Sequence, residues 1–299
     1  MANSLVFTTT DINLQSQVEN EVKEQSTINL VLLHGWGLNS GVWQPLIESL
    51  KAALALNTTL SLKVITIDLP GFGLNANKSV TPYTLHTVAN KVFDSVQKAT
   101  NEPAIFMGWS LGGLVATEIA HQFPDKVSGL ITVASTPYFV AEQENENNAG
   151  WPGIKKSVLK SFHNQLQNDI EKTIKGFLKI QAMGSPSLRQ DIKHITKLIM
   201  AYDLPSKETL ENSLDLLDTC DLRTVLSEIN VPILQLYGQT DGLVPKQVIP
   251  LIKELNPSSE QVVFPKASHA PFISHLDDFT LVILNWLNKQ TAMNSSQNH

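Results

Sequence analysis

Six short apolar runs, alternating with helix-like stretches, constrain the fold of this 299-residue chain more than any other feature. Runs of this kind, without polar alternation, are typical of parallel strands covered on both faces. Their alternation with helices predicts an α/β fold, with a mainly parallel sheet and helices on both sides. The runs are NLVLLHG at 29–35, LKVITIDLPG at 62–71, AIFMGWS at 104–110, LITVAS at 130–135, PILQLYG at 232–238 and QVVFP at 261–265.

The alternation stops between residues 137 and 215, where the chain is polar, lysine-rich and helical in pattern. We interpret this interval as a helical cap inserted between two strands of the sheet. The predicted division is an α/β core formed by 1–136 and 216–290, a cap formed by 137–215, and a mobile tail formed by 291–299.

The third apolar run leads into the motif Gly-Trp-Ser-Leu-Gly-Gly at 108–113. Apolar residues then recur at three- and four-residue steps, which predicts a helix directly after the strand. A turn this tight requires glycine, because a Cβ would collide with backbone. Gly108 and Gly112 flank Ser110 at the G-x-S-x-G spacing of a nucleophile elbow. A serine that only caps the helix starting at Leu111 would give the same pattern, so the motif alone does not decide its role.

An acid and a histidine follow two later apolar runs. Asp241 comes after the run at 232–238, and His269 comes after the run at 261–265. In an open parallel sheet, ligands bind beyond the carboxyl ends of the strands, so residues at these positions converge. A serine nucleophile needs an imidazole to take its proton, and the imidazole needs a buried carboxylate. The chain order Ser110, Asp241, His269 is the order this fold uses, and predicts nucleophile, acid and base in turn.

Two backbone N–H groups are the predicted oxyanion hole. Leu111, directly after the serine, supplies one of them at the helix start. Trp36 supplies the other from the HGWG loop at 34–37, after the first apolar run. A turn with a packed tryptophan is the alternative interpretation of that loop.

Net charge and residue content argue against several kinds of partner and cofactor. The net charge of −6 argues against nucleic acid as a partner. Cys220 is the only cysteine, which excludes an internal disulfide and a thiol metal cluster. Histidines and carboxylates lack metal-ligand spacing, so we expect no metal and no cofactor. The first thirty residues lack a basic start followed by a long apolar stretch, so we expect a cytoplasmic protein without a membrane partner. We also expect a monomer.

The predicted cap is basic although the whole chain is acidic. Residues 154–200 contain nine Lys or Arg and three Asp or Glu, a local net charge of +6. Two trios have helical spacing, so each lies along one side of a helix. A solvated helical face and a docking surface for an acidic partner both explain this pattern. The trios are Lys172, Lys175 and Lys179, and Arg189, Lys193 and Lys197.

Longer segments resemble a known family over roughly residues 29–285. In order they are LVLLHGWGLNSGVW, IDLPGFG, GWSLGGLVA, WPGIK, QAMG, LRQD, DLR, LYGQTDGLVP and ASHAPFISH. They are similar to segments of the α/β-hydrolases, and more closely to the pimeloyl-acyl-carrier-protein methyl ester esterases of biotin synthesis. The resemblance implies a cofactor-free serine esterase, with an acyl carrier protein bearing a pimeloyl methyl ester as its partner.

The resemblance also implies roles for individual residues. Ser110, His269 and Asp241 would be nucleophile, base and acid partner. The acyl group would contact Trp36, Trp109, Leu111 and Phe177. The carrier would face cap residues Lys172, Lys175, Arg189 and Lys193.

Some positions depart from the family's pattern. Lys172, Gly176 and Lys193 stand where the family tends to have arginine, which weakens bidentate phosphate contacts but keeps most of the positive field. Segments 51–62 and 141–149 are longer than is typical. Two alternatives therefore stay open: a general short-chain carboxylesterase without a carrier, and a hydrolase-fold protein that only binds a ligand. A dehalogenase would require Asp at position 110, where this chain has Ser110.

Overall fold

The computed structural model describes residues 4–12, 27–55, 60–144, 150–182, 188–199 and 201–297. Within these ranges the chain forms one seven-stranded sheet with the strand order β1-β3-β2-β4-β5-β6-β7. All neighbouring pairs are parallel except β1 and β3, which are antiparallel. The strands are β1 Phe7–Ile12, β2 Thr27–Leu33, β3 Ser61–Ile67, β4 Ala104–Trp109, β5 Val127–Val133, β6 Ile233–Gly238 and β7 Glu260–Phe264.

Helices connect the strands and cover the sheet. In α2, the side chain of Thr84 accepts a hydrogen bond from the N–H of Thr87, which satisfies a donor at the helix start. The described helices are α1 Gln44–Leu54, α2 Leu85–Val96, α3 Leu111–Gln122, α4 Lys156–Asn168, α5 Ile170–Ala182, α6 Leu188–Ile199, α7 Lys207–Thr219, α8 Arg223–Glu228, α9 Val248–Leu255, α10 Pro271–Ser274 and α11 Leu276–Gln297.

The centre of the sheet is apolar on both faces. Every residue of β4 and of β6 is buried, as expected for parallel strands with helices on both sides. The register pairs Leu33 of β2 with Gly108 of β4, and Trp109 of β4 with Val133 of β5. The carboxyl ends of the central strands therefore meet at one edge of the sheet. The α/β fold predicted from the six apolar runs is confirmed. Among the described strands, β1 is the one that the apolar runs did not indicate.

Helices α4–α7, which we call the cap helices, lie between β5 and β6 along the chain. A bridge between Tyr138 and Asp221 joins the two ends of this excursion, and a bridge between Val140 and Ile154 lies just before α4. Beside them the guanidinium of Arg223 bonds Glu142 at 2.8 Å and lies 4.7 Å from the ring centre of Tyr138. The division into core and cap at 137 and 215 stays a prediction, and residues 145–149 of the long loop lie outside the described ranges.

The mobility expected of the tail at 291–299 stays a prediction. Helix α11 continues through residue 291 to Gln297, so the described part of the 291–299 segment is helical. Among the described helices, none combines the length and the apolar character needed to cross a bilayer.

Candidate active site

Ser110 lies in a sharp turn between β4 and α3. Its backbone has φ 54° and ψ −118°, a conformation that residues with a Cβ rarely adopt. Its side chain makes no capping hydrogen bond to α3, so the alternative of a simple helix cap is not supported. The residue is almost fully buried, with 1% of its surface exposed. A strained serine between a strand and a helix is the geometry of a nucleophile elbow.

Two glycines make this turn possible. A Cβ on Gly108 would lie 2.0 Å from the carbonyl oxygen of Gly112, and a Cβ on Gly112 would lie 2.4 Å from the carbonyl oxygen of Leu33. Real atoms cannot approach so closely. The G-x-S-x-G spacing therefore follows from the packing of α3 against the ends of β2 and β4.

Hydrogen bonds from β5 hold the backbone of Ser110. Its N–H donates to the carbonyl of Val133 at 2.9 Å, and the hydroxyl of Ser135 donates to its carbonyl at 2.8 Å. Ser135 is 4% exposed. Ser135 is not among the predicted site residues, although it is the last residue of the apolar run at 130–135 and a polar residue at a strand end is the signal that points to it.

Asp241 and His269 form a buried pair after β6 and β7. The Nδ1 of His269 lies 2.8 Å from the Oδ2 of Asp241, and both side chains are at most 1% exposed. The other carboxylate oxygen accepts the N–H groups of Leu243 and Val244 at 2.8 and 3.0 Å. These bonds hold the carboxylate in place against Nδ1 of His269. When Nδ1 donates to the carboxylate, Nε2 is the acceptor nitrogen of the ring. That Nε2 is buried and has no hydrogen-bond partner within the described ranges.

Trp109 connects the serine turn to the histidine. Its indole N–H donates to the backbone carbonyl of His269 at 2.7 Å. The ring packs edge-on against Phe272, with ring centres 4.9 Å apart, and is fully buried. Ser110, Asp241 and His269 thus follow the carboxyl ends of β4, β6 and β7, at one edge of the sheet. Their catalytic roles stay predictions.

The two expected oxyanion donors flank Ser110. Leu111 is the first residue of α3, so its N–H has no acceptor inside the helix. Trp36 lies in the 34–37 loop after β2, and this loop passes directly over the serine. A Cβ on Gly35 would lie 3.3 Å from the Cβ of Ser110.

The ring of His34 holds the same loop through two hydrogen bonds to backbone groups. Its Nε2 accepts the N–H of Leu69 at 3.0 Å, so Nδ1 carries the proton and donates to the carbonyl of Gly35 at 2.8 Å. Burial lowers the pKa of His34, although the nearby carboxylate of Asp68 opposes this shift. Asp68 itself accepts the N–H groups of Ser40 and Leu74. Both residues therefore support the loop.

The residues expected to contact the acyl group are buried, and those expected to contact the carrier are exposed. Trp36 and Phe177 pack edge to face with ring centres 4.8 Å apart, and both are buried. Leu111 is also buried. The expected carrier residues are exposed on α5 and α6, and Lys175 pairs with Glu171 on its own helix. These carrier residues are Lys172, Lys175, Arg189 and Lys193.

The chemistry available at this edge of the sheet is nucleophilic. Within the described ranges, no group of three or more His, Cys, Asp or Glu side chains could hold a metal ion. Cys220 is half-buried and far along the chain from Ser110, and burial raises the pKa of its thiol to about 11, which keeps it protonated and a weak nucleophile at neutral pH. The residues assembled here can activate a serine hydroxyl for attack on a carbonyl carbon.

Comparison with known proteins agrees with this architecture. An esterase from Exiguobacterium antarcticum matches with a TM-score of 0.73 and 23% identity, over 94% of this chain and 95% of its own. A bromoperoxidase from Bacillus anthracis matches with a TM-score of 0.76 and 19% identity, over 95% and 96%. An esterase from Thermogutta terrifontis matches with a TM-score of 0.70 and 21% identity, over 95% of this chain and 93% of its own.

At these identities the solved structures establish similarity of fold alone. The family model described as the alpha/beta hydrolase fold matches residues 28–276, which is most of the chain. The seven-stranded sheet and the serine turn between β4 and α3 agree with this match. This chain therefore belongs to the alpha/beta hydrolase fold family.

Proposed function

We propose that this protein is a serine carboxylesterase that hydrolyses the methyl ester of pimeloyl-acyl carrier protein and releases methanol, without a cofactor. The observation that carries the proposal is the buried hydrogen bond of 2.8 Å between His269 and Asp241, at the same sheet edge as the strained turn of Ser110. A carboxylate, an imidazole and a serine in this arrangement are the parts needed for acyl transfer.

In the first half of the reaction, the hydroxyl oxygen of Ser110 attacks the ester carbonyl carbon. The Nε2 of His269 accepts the hydroxyl proton, and Asp241 stabilises the imidazolium that forms. The N–H groups of Trp36 and Leu111 hold the negative oxygen of the tetrahedral intermediate. The imidazolium then gives its proton to the leaving methoxy group, and methanol departs.

In the second half, water replaces the alcohol. His269 removes a proton from a water molecule, which attacks the acyl group on Ser110. The tetrahedral intermediate collapses, the proton returns to the serine oxygen, and the free carboxylate leaves on its carrier. The same residues act in both halves, so no further catalytic group is required.

Two observations favour a carrier-bound ester over a free one. Segments throughout the core and the cap resemble the esterases of biotin synthesis. The cap also exposes positive side chains in rows, including Arg189 and Lys193 four residues apart on α6. Like charges at this spacing repel and cost a few tenths of a kcal/mol per pair. An acidic carrier with a phosphopantetheine arm would turn this repulsion into attraction.

The first experiment tests the catalytic residues. We expect Ser110→Ala and His269→Ala each to reduce kcat/KM for 4-nitrophenyl butyrate by several orders of magnitude, because the triad acts as a unit. His275→Ala is the matched control, since the ring of this neighbouring histidine bonds Ser274 through its Nδ1 and lies outside the Asp241–His269 pair. A fluorophosphonate probe should label the parent but not Ser110→Ala. Undiminished hydrolysis by Ser110→Ala would refute the assignment.

The second experiment tests the substrate. We expect Arg189→Glu combined with Lys193→Glu to raise KM for a carrier-bound methyl ester at least about tenfold, and to leave kcat/KM for a free ester within about threefold. Rising salt should slow only the carrier-linked reaction. Lys98→Glu combined with Lys126→Glu is the control, because it makes the same change in net charge near the amino ends of β4 and β5. It should leave KM for the carrier-bound ester unchanged.

Other outcomes of these experiments favour the alternatives. An unchanged KM for the carrier substrate, or equal salt dependence for both esters, would favour a general carboxylesterase. No turnover and no labelling would favour a ligand-binding protein. In cells, the gene but not its Ser110→Ala variant should restore growth to a biotin auxotroph that lacks the esterase.

A further inference from the structure

We propose that the side chain of Trp36 ties the oxyanion hole to the cap, so that the position of the cap helices sets how well the Trp36 N–H binds the developing oxyanion. Trp36 is thus a positioning residue through its indole as well as a donor through its backbone. This inference rests on the proposed esterase function and concerns the same site.

Three consecutive residues of the loop face the catalytic serine on one side and the cap on the other. Gly35 lies against Ser110, because a Cβ at this position would be 3.3 Å from the serine Cβ. Gly37 has φ +74°, and a Cβ there would be 3.8 Å from Ile174 of α5. Trp36 stands between them. The loop therefore bridges the nucleophile and the cap within the length of one turn.

The side chain of Trp36 makes its described hydrogen bond and its described ring contact with the cap helices. Its indole N–H donates to the backbone carbonyl of Leu210 in α7 at 3.1 Å. Its ring packs edge to face on Phe177 of α5, and Phe177 packs in the same way on Phe162 of α4, with ring centres 5.3 Å apart. Trp36 has no exposed surface. Two cap helices, α5 and α7, thus contact this core side chain, and α4 supports Phe177 from behind.

Helix α7 is in turn seated on the core beside this loop. Thr209 precedes Leu210, and its hydroxyl would lie 2.4 Å from a Cβ on Gly71, where the backbone has φ +84°. The first turn of α7 therefore touches the turn after β3 and the 34–37 loop together. A displacement of this helix moves the carbonyl of Leu210, to which the indole N–H of Trp36 is hydrogen-bonded.

The effect on catalysis follows from the short tether between indole and backbone. A buried side chain in a close-packed interior cannot turn away to absorb a shift, so the backbone N–H of Trp36 moves with its ring. Oxyanion donors act only within a narrow range of distances, and complete loss of one donor costs about 10²–10³ in kcat. We expect partial misplacement to cost about tenfold.

The experiment compares an ester with its thionoester, in which sulfur replaces the carbonyl oxygen. Sulfur accepts hydrogen bonds poorly, so the ratio of kcat/KM for 4-nitrophenyl butyrate to that for the thionoester reports the oxyanion hole. The ratio is independent of the fraction of active enzyme, so a merely less stable variant does not change it. We expect Trp36→Phe, which keeps the ring packing but removes the indole N–H, to reduce the ratio about tenfold.

Two further variants sharpen the test. Trp43→Phe is the matched control, because Trp43 is equally buried and its indole N–H has no partner among the described residues. It should leave the ratio within about twofold. Phe177→Leu loosens the contact from the cap side, and should reduce the ratio although Phe177 supplies no oxyanion donor. It also decides the matter if Trp36→Phe does not fold.

The outcomes separate the inference from the proposed function. An unchanged ratio in both Trp36→Phe and Phe177→Leu would overturn the inference and leave the esterase intact. An equal fall in Trp43→Phe would also overturn it, because the effect would then come from general loosening. A parent protein that hydrolyses neither ester and resists a fluorophosphonate would overturn the proposed function itself, and the inference with it.

Discussion

Replacing Ser110 by glycine should give a more stable protein than replacing it by alanine, which reverses the usual order. Ser110 has φ 54° and ψ −118°, and a residue with a Cβ held there costs about 1–3 kcal/mol. Glycine adopts positive φ freely, at an entropic cost of about 0.5–1 kcal/mol. The balance favours Ser110→Gly by about 1 kcal/mol. Both variants lack the hydroxyl, so its contribution cancels.

The measurement is thermal and urea unfolding of the two inactive proteins. For a chain of this size, a difference of about 1 kcal/mol corresponds to about 2 °C in Tm. Ser268 provides the control, because it is buried like Ser110 but has a negative φ. There the ordinary order should hold, with Ser268→Gly less stable than Ser268→Ala by about 0.5–1 kcal/mol. If glycine is the worse residue at both positions, the turn stores no strain and our reasoning is wrong.

Two further predictions concern stability. Burial lowers the pKa of His34, so the unfolded chain binds a proton below pH of about 6.5 that the folded chain resists. Between pH 7.5 and 5.5 the parent should lose up to about 1.4 kcal/mol more unfolding free energy than His34→Gln, and equal losses in urea titrations would contradict this. Arg223→Lys should cost about 1–3 kcal/mol, because lysine cannot reproduce the paired bonds to Glu142 and Asp221. Arg189→Lys, at an exposed arginine, should cost nothing measurable.

The central strands can be predicted from the sequence, because a strand buried on both faces consists of a continuous run of apolar residues. Strand β4 is buried at every residue, and no polar alternation obscures it. Strand β1 has the opposite character. It reads FTTTDI, is largely exposed, and pairs only with β3 at the edge of the sheet. An edge strand of this kind is defined by its hydrogen bonds to a neighbour, and residue types alone do not reveal these bonds.

The sequence also predicts a helical interval after β5, since amphipathic helices have a local period. It does not predict how the cap is attached. The guanidinium of Arg223 bonds Glu142, 81 positions earlier, and lies 5.2 Å from the ring centre of Trp151. The indole of Trp36 bonds Leu210, 174 positions later. Both contacts depend on the fold that brings distant segments together, and no spacing rule gives them.

Strand order, rather than chain order, decides which carboxylate pairs with the candidate base. Asp68 also directly follows a strand, β3, and β3 adjoins β2, which precedes His34. That pair is 3.9 Å apart, and both nitrogens of His34 already bond backbone groups of Leu69 and Gly35. Its ring has no nitrogen left to accept a proton.

The corresponding pair on the other side of β4 has the opposite property. Strand β6 adjoins β7, so Asp241 meets His269 at 2.8 Å. The carboxylate uses only Nδ1, and Nε2 is buried without a partner in the described part of the chain. Both strand-end pairs contain an acid and a buried histidine. Only the second keeps a ring nitrogen available for proton transfer, which is why the sheet topology makes His34 a support for the oxyanion loop and His269 the candidate base.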